Sequence, residues 1–528
     1  MGRPDNGVRI GGAGGFWGDI TLAPLEMLKT TELDYLTMDY LSEVTMSIMH
    51  KQLDRNPSAG WATDLEVWLR AGGMELLKEK KVKLVTNAGG ANTDACVSRV
   101  LKAASAIGWT DCKVATISGD CIGSKLSALA GTGEPFIHMF DHKLGSLLDH
   151  EETIVSANAY LGASGIARAL EQGADIVITG RVADASLIVG SMAHSCGWAA
   201  NGSELELNAP LADWAPPNIK NPYDVLAGWT LAGHLIECGA QVSGGNSSDW
   251  KEIPQLAELT YPLAIIESDG TCVITRAPGE GGRITRRTVA EQMLYEIGDP
   301  TSYHTPDVTL DLSQATLVET KLDHVRVEGA RGRSPPASLK VSACHRDGWM
   351  SSGSLMVPGP NAQEKAEMLD NTMRGRLNHL SDIQIETEFL GSQALTPPGL
   401  RKDISPSEVM VRWTISSPQR AQLTHFARSI APLVLTGPAG VAGYGARPRP
   451  REVLRFFPTS IRRVLVEPQV RIEHHQTWRH DLEERMPWLE DKVLARLEMI
   501  SKFDNHPYWS KLASRMLDRL DESKVVKP

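Results

Sequence analysis

The feature that most constrains this chain is a recurring order. A short apolar run meets a glycine-bearing polar turn, and a segment with apolar residues every three or four positions follows. The stretch "AYLGASGIARALEQG" ends on a glycine directly before "ADIVITG", so helix, glycine stop and buried strand succeed one another as in βαβ units. The same order predicts strands at Val8–Ile10, Leu33–Met38, Val82–Thr86, Lys113–Ser118 and Asp175–Thr179. Helices are predicted in "DLEVWLRAGGMELLKEK" and "TDACVSRVLKAASAIG". The expectation for residues 1–262 is an α/β ligand-binding or catalytic domain, a mostly parallel sheet flanked by helices.

With 528 residues the chain exceeds a single core, and its texture changes from about Leu263. "LAIIESDGTCVITRAP" reads as a hairpin turning on Asp-Gly, and "RTVAEQMLYEIGDP" as a helix closed by Gly-Asp-Pro. "ATLVETKLDHVRVEGARG", "ASLKVSACHRDGWM" and "EVMVRWTIS" look like antiparallel strands. Residues 263–475 are therefore expected to form an α+β second domain, and residues 476–528 a charged helical tail that packs on a partner or on the body.

A net charge of −10 with dispersed basic residues argues against nucleic acid or an anionic membrane surface. No apolar run reaches the length of about 18 residues that a bilayer span requires. The opening "MGRPDNGVRI" runs almost at once into a candidate strand, which predicts no signal peptide. Seven scattered cysteines without a CxxC pair predict reduced thiols and a cytoplasmic protein.

In open parallel sheets ligands bind at the carboxyl ends of strands, where four polar glycine turns fall. "GGAGGFWGD" carries Gly15 and sets Gly12, Gly14 and Gly18 in a G-x-G-x-x-x-G spacing, with Asp39 ending the next strand as an acid for a ribose hydroxyl. That resembles a dinucleotide fingerprint, but two aromatics and a proline interrupt it; anion binding by the N–H groups and a merely tight turn remain open. "TNAGGANTD" offers Asn87, Gly89, Gly90 and Asn92, a ligand turn or a helix cap. "ISGDCIG" puts Asp120 at a strand end, as a general base or an N-cap. "ITGRVADASL" places Arg181, Asp184 and Ser186 after an apolar strand. There arginine can grip a carboxylate or phosphate, or pair internally with Asp184. "GHLIECGAQVSGG" sets His234, Glu237 and Cys238 on one helical face, ahead of Gln241, Gly244 and Gly245. An acid–base couple ranks first there, a structural role second, a metal pair third and a thiol nucleophile last. "TGPAGVAGYGARPRPRE" reads as a loop that could close over an anionic ligand, or as a solvated loop.

Taken together, "GGAGGFWGD", "LDYLTMDYLSEVTM", "TNAGGANTDAC", "GADIVITGRVADASL", "GHLIECGAQVSGG" and "TVAEQMLYEIGDP" resemble the acyclic terpene utilisation proteins, AtuA-like, from near residue 8 to about residue 470. The resemblance implies a role in breaking down citronellol- or geraniol-type branched acids, where acetate is split from a tertiary 3-hydroxy acyl-CoA. It transfers no catalytic residues.

The resulting expectation is a lyase or hydratase acting on a carboxylated branched acyl-CoA or free acid. Asp120, Asp184 or the His234–Glu237 pair would act as base, and amides around Gly89–Gly90 and Gly244–Gly245 as oxyanion donors. Arg181 would hold the terminal carboxylate, and Gly12, Gly14, Gly15, Asn87, Asn92, Ser186 and Gln241 would complete the substrate site. A hydrolase of a thioester, lactone or amide is the enzymatic alternative, and a non-catalytic binding or scaffold subunit the other. No cofactor is assigned beyond a possible CoA moiety on the substrate, no metal ligand is named and the need for a metal is left open, and a homo-oligomer is expected.

Overall fold

The computed structural model describes residues 7–392, 394–400 and 405–474; the expected tail at 476–528 lies outside the described residues. Its first strands are β1 (Val8–Gly12), β2 (Tyr35–Met38), β3 (Lys83–Thr86), β4 (Lys113–Ser118), β5 (Ile154–Ala159) and β6 (Ile176–Thr179). After these come β7 (Pro262–Ile266), β8 (Cys272–Arg276), β9 (Tyr303–His304), β10 (Thr309–Asp311), β11 (Thr316–Lys321) and β12 (His324–Glu328). The last are β13 (Arg331–Arg333), β14 (Ser338–Pro358), β15 (Gln384–Leu390), β16 (Glu408–Ser417), β17 (Arg451–Arg462) and β18 (Gln469–His474).

The large sheet has ten strands in the order β11-β12-β8-β7-β1-β2-β3-β6-β4-β18. Its middle, β1-β2-β3-β6-β4, is parallel, as the repeating order predicts. The expectation of a mostly parallel sheet is nevertheless corrected. Four of its strand pairs are parallel and five antiparallel. The hairpins β7-β8 and β11-β12 extend the free edge of β1, and β18 closes on β4. Capping a parallel centre with antiparallel strands pairs its open N–H and C=O rows. Residue 263 is thus not a change of sheet, because β7 is hydrogen-bonded to β1.

The central strands are buried on both faces, and their alternating side chains feed two cores. Val85, Val177 and Ala115 point to one, with helices Ser164–Glu171, Ser186–Ser195 and Pro222–Glu237. Leu84, Ile178 and Val114 point to the other, with helix Thr93–Ala106 and the segments before it. β5 leaves this sheet and pairs with β14. β14 is a long strand whose first half, with Val341 and Ala343, belongs to the first core. Its second half, with Leu355 and Val357, joins β16 in a third core under helix Ala362–Leu377. A register shift between Arg346 and Trp349 turns the strand from one body into the other. A three-stranded sheet, β13-β10-β9, lies nearby in sequence.

Candidate functional site

The site begins where the parallel strands end. Past β2, Asp39 donates its backbone N–H to the Gly14 carbonyl at 3.0 Å, which ties the β1 and β2 ends together. Its Oδ1 accepts from the Leu41 N–H at 2.9 Å and from the Asn87 amide Nδ2 at 2.6 Å. Asn87, just past β3, in turn accepts the Tyr40 N–H at 2.7 Å. From the end of β6, Arg181 donates Nη1 to the Leu41 carbonyl and Nε to the Val182 carbonyl, both at 2.8 Å, and pairs through Nη2 with Asp184. Beneath it the Asp120 carboxylate accepts the Arg181 N–H at 3.0 Å and the Asn158 amide at 2.8 Å. A Cβ at Gly180 would lie 2.5 Å from Asp120 Oδ1, so only glycine admits this arrangement. The strand ends are laced together by buried polar groups that satisfy one another.

Above them lies a cavity with two lobes. The small lobe, about 260 Å³, is lined by Asp39, Arg181, Cys238, Gln241 and Gly15 among others. The larger, about 600 Å³, mixes apolar Met139, Pro306, Pro336 and Leu339 with His234, Tyr303 and Lys340. Glu43, Tyr160, Asp184, Glu237 and Glu296 border both. Tyr160 is flanked by two cations, with the Arg181 guanidinium 4.4 Å and the Lys340 ammonium 4.8 Å from its ring centre. The Lys340 ammonium lies 3.6 Å from Glu43.

Helix Pro222–Glu237 lies against β1 so closely that a Cβ on Gly12 would come within 2.3 Å of the Ile236 carbonyl. That approach brings the helix's last turn to the cavity. There His234 Nδ1 and Glu237 Oε1 are 3.0 Å apart, both nearly inaccessible. The other ring nitrogen of His234, Nε2, is buried and has no hydrogen-bond partner among the described residues. Burial is the largest single influence and works against a charged ring, but the charge and hydrogen bond of Glu237, with Gln292 and Glu296, together raise the His234 pKa above the ordinary histidine value. Burial, then Glu237, pushes the Cys238 thiol up to about 12, so it is no thiolate nucleophile at neutral pH. Burial raises Asp39 to about 6 against the opposing pull of Arg181 and the Asn87 hydrogen bond. Burial together with Glu43 and Glu237 also raises Glu296.

Several residues singled out in the sequence meet here: Gly15, Arg181, Asp184, His234, Glu237 and Gln241 line the cavity. Others stand behind it. Asn87 holds Asp39, Asp120 holds Arg181, and Gly12 and Gly14 shape the β1 turn. Ser186 donates to Asp307 at 2.6 Å, which anchors the turn before β10. Asn92 caps helix Thr93–Ala106 through the Ala95 N–H. Four of the glycine amides are spent internally. Gly15 donates to Asp19 Oδ2, Gly90 to the Asn87 carbonyl, Gly244 to that of Gln241 and Gly245 to that of Ala240. Gly89, Gly90, Asn92, Gly244 and Gly245 do not line the cavity among the described residues.

Sequence reasoning missed Lys340, Tyr160 and Glu43. Lys340 sits on β14 and Tyr160 follows β5; the Tyr160 N–H to Lys340 carbonyl bond at 2.8 Å joins them. No local spacing signals that pairing. Asp39 stood out only as a ribose-binding acid, whereas Asn87 and Leu41 occupy one of its oxygens. Among the described residues, no group of three or more His, Cys, Asp and Glu side chains has an arrangement that could hold a metal ion. None of their helices is long and apolar enough to cross a membrane.

The chain matches the acyclic terpene utilisation family protein AtuA over residues 8–472. It belongs to that family, and membership connects it with acyclic terpene utilisation. Neither the curated proteins nor the solved structures contain a match to it.

Proposed function

We propose that the protein is a lyase, or a closely related hydratase, of branched-acid metabolism, acting on a carboxylated branched acid or its acyl-CoA ester. The observation that carries this reading is His234: Nδ1 fixed by Glu237, Nε2 buried without a partner, and the ring on the wall of the larger lobe. An imidazole held protonated by a neighbouring carboxylate is a proton donor waiting for an acceptor. At a tertiary 3-hydroxy acid it can protonate an enolate carbon as a C–C bond opens, or a departing hydroxyl in a dehydration.

The cavity supports the same substrate class. Its volume lies within the range of about 300–1,000 Å³ typical of small-ligand sites. The larger lobe offers Met139, Pro306, Pro336 and Leu339 to a branched chain and Lys340 to a carboxylate. Arg181, with Nε and Nη1 given to backbone carbonyls, serves better as the frame of the small lobe than as a free clamp. Where the substrate carries CoA, that moiety is a property of the substrate. The protonated Cys238 disfavours the thiol version of the hydrolase reading.

The test is turnover of branched 3-hydroxy acyl-CoA esters and free acids, with and without a second carboxylate, followed by mass spectrometry of the products. His234→Gln should lower kcat by roughly 10²–10⁴-fold, the usual worth of a positioned proton donor, with little change in KM. Lys340→Ala should raise KM for carboxylated substrates and leave uncharged analogues unaffected. Full activity of His234→Gln, or hydrolysed thioester as the sole product, rejects the assignment.

A further inference from the structure

We infer that Asp39 is a second catalytic residue of this site: the general base in the small lobe, working with the proton donor His234 of the larger lobe and aimed by Asn87. The inference rests on the proton-transfer reading of the cavity and supplies what that reading lacks, a group to accept the substrate's proton.

Asp39 stands at the carboxyl end of β2, in the middle of the sheet, and lines the small lobe while only 5% exposed. Its two oxygens are not equivalent. Oδ1 is held from two sides, by the Leu41 N–H at 2.9 Å and the Asn87 Nδ2 at 2.6 Å. Oδ2 has no hydrogen-bond partner among the described residues. A carboxylate pinned by one oxygen, with the other left open in a lined cavity, is the arrangement a general base needs. Asn87 is fixed in turn, because its Oδ1 accepts the Tyr40 N–H at 2.7 Å, so its amide can only present Nδ2 to Asp39. These two links make Asn87 a positioning residue.

The other acids in and behind the cavity fit the role less well. Both hydrogen bonds to Asp120 are made from behind the strand ends, by the Arg181 backbone and by Asn158, and it does not line the cavity. Asp184 is paired with Arg181, and Glu237 with His234. Glu43 has Lys340 beside it. Glu296 is exposed at the cavity wall. Groups facing Asp39 from the surrounding elements are Arg181, Cys238 and Glu237, all on the same lobe. Burial, with Arg181 opposing it, places Asp39 at about 6, while His234 titrates above the ordinary histidine value. Where the pH lies above the titration of Asp39 and below that of His234, the base is ionised and the acid protonated together.

In the lyase step, Asp39 Oδ2 takes the proton of the tertiary hydroxyl. The freed pair on oxygen becomes the second bond of a ketone, and the Cα–Cβ bond breaks. Its electrons pass into the enolate of the departing acetyl fragment, whose carbon takes a proton from His234 Nε2. One proton enters at Asp39 and one leaves from His234, so the two groups return to their starting states by exchange with solvent.

The test is the pH dependence of kcat/KM in the full chain, using the substrate found by the screen above. Wild type should give a bell, its acidic limb set by Asp39 and its alkaline limb by His234. Asp39→Asn should lower kcat by at least about 10²-fold with KM little changed, and Asp39→Glu should recover part of it. Asn87→Ala removes one hydrogen bond to the carboxylate and should move the acidic limb upward by about one unit, without moving the alkaline limb. A purely structural role would leave both limbs in place. An active Asp39→Asn beside an inactive His234→Gln overturns this inference and leaves the lyase reading standing; activity in both overturns the reading itself. Should Asp39→Asn fail to fold, the Asn87→Ala limb decides, and an unmoved limb counts against Asp39.

Discussion

The ends of the central parallel strands and the body of the five-stranded sheet β15-β16-β14-β17, which β5 joins at β14, use burial in opposite ways. In β16, Val409, Val411, Trp413 and Ile415 point into the third core while Met410, Arg412 and Thr414 between them are partly exposed. That is the period of two a half-buried strand requires, and it stabilises by removing apolar area from water. β2 and β6 are buried on both faces, and the chain just beyond β2, β3 and β6 places Asp39, Asn87 and Arg181 out of water as well. A buried polar group costs about 1–3 kcal/mol unless it finds a partner. The network meets that cost with backbone carbonyls and side-chain amides, yet leaves Asp39 raised to about 6 and His234 raised with one nitrogen open. One region turns burial into stability, the other into altered proton affinity.

Substitutions in the two regions should separate along that line. The largest change in stability is expected from Trp413→Ala, which empties a fully buried site in the third core. It should cost about 3–5 kcal/mol in urea unfolding while both limbs of the pH–rate profile stay in place; a shifted limb would mean the two regions are coupled. Asp39→Asn should do the reverse and raise stability at pH 7.5 by up to about 3 kcal/mol, because the folded protein no longer buries a charge. The sign follows from its pKa, raised from 3.8 to about 6. Wild-type stability should fall as pH climbs from about 4 to about 6, and melting curves of the variant should lack that fall. Gly12→Ala should cost about 1–3 kcal/mol by pushing the helix that carries His234 away from β1, and kcat should drop with it. The smallest effect belongs to Glu388→Ala. It breaks a partly exposed pair with Arg412 on β15 and β16 and should change stability the least of the four, a difference that added salt removes.

How much of this was legible beforehand depends on how far apart the interacting residues lie. The five parallel strands, the hairpin β7-β8 and the helix carrying His234 and Glu237 follow from periodicities of 2 and 3.6 and from glycine stops. The Arg181–Asp184 pair is legible for the same reason, as is the His234–Glu237 contact: both span three residues, and a helix or tight turn fixes such spacings without help.

Local pattern does not select partners across the chain. Nothing near Ile154 announces that β5 abandons the first sheet for β14, or that β7 and β18 will flank a parallel centre with antiparallel edges. Nor does it reveal that the glycine amides satisfy their own turns. Sequence by itself therefore determined the strands, their helices and the residues crowding the strand ends. Tertiary structure alone decided that Lys340 and Arg181 share the ring of Tyr160, and that one oxygen of Asp39 is pinned while the other is left open. The reason is physical. Backbone geometry repeats over a few residues, whereas strand pairing and desolvation are settled only when distant segments compete for the same buried space.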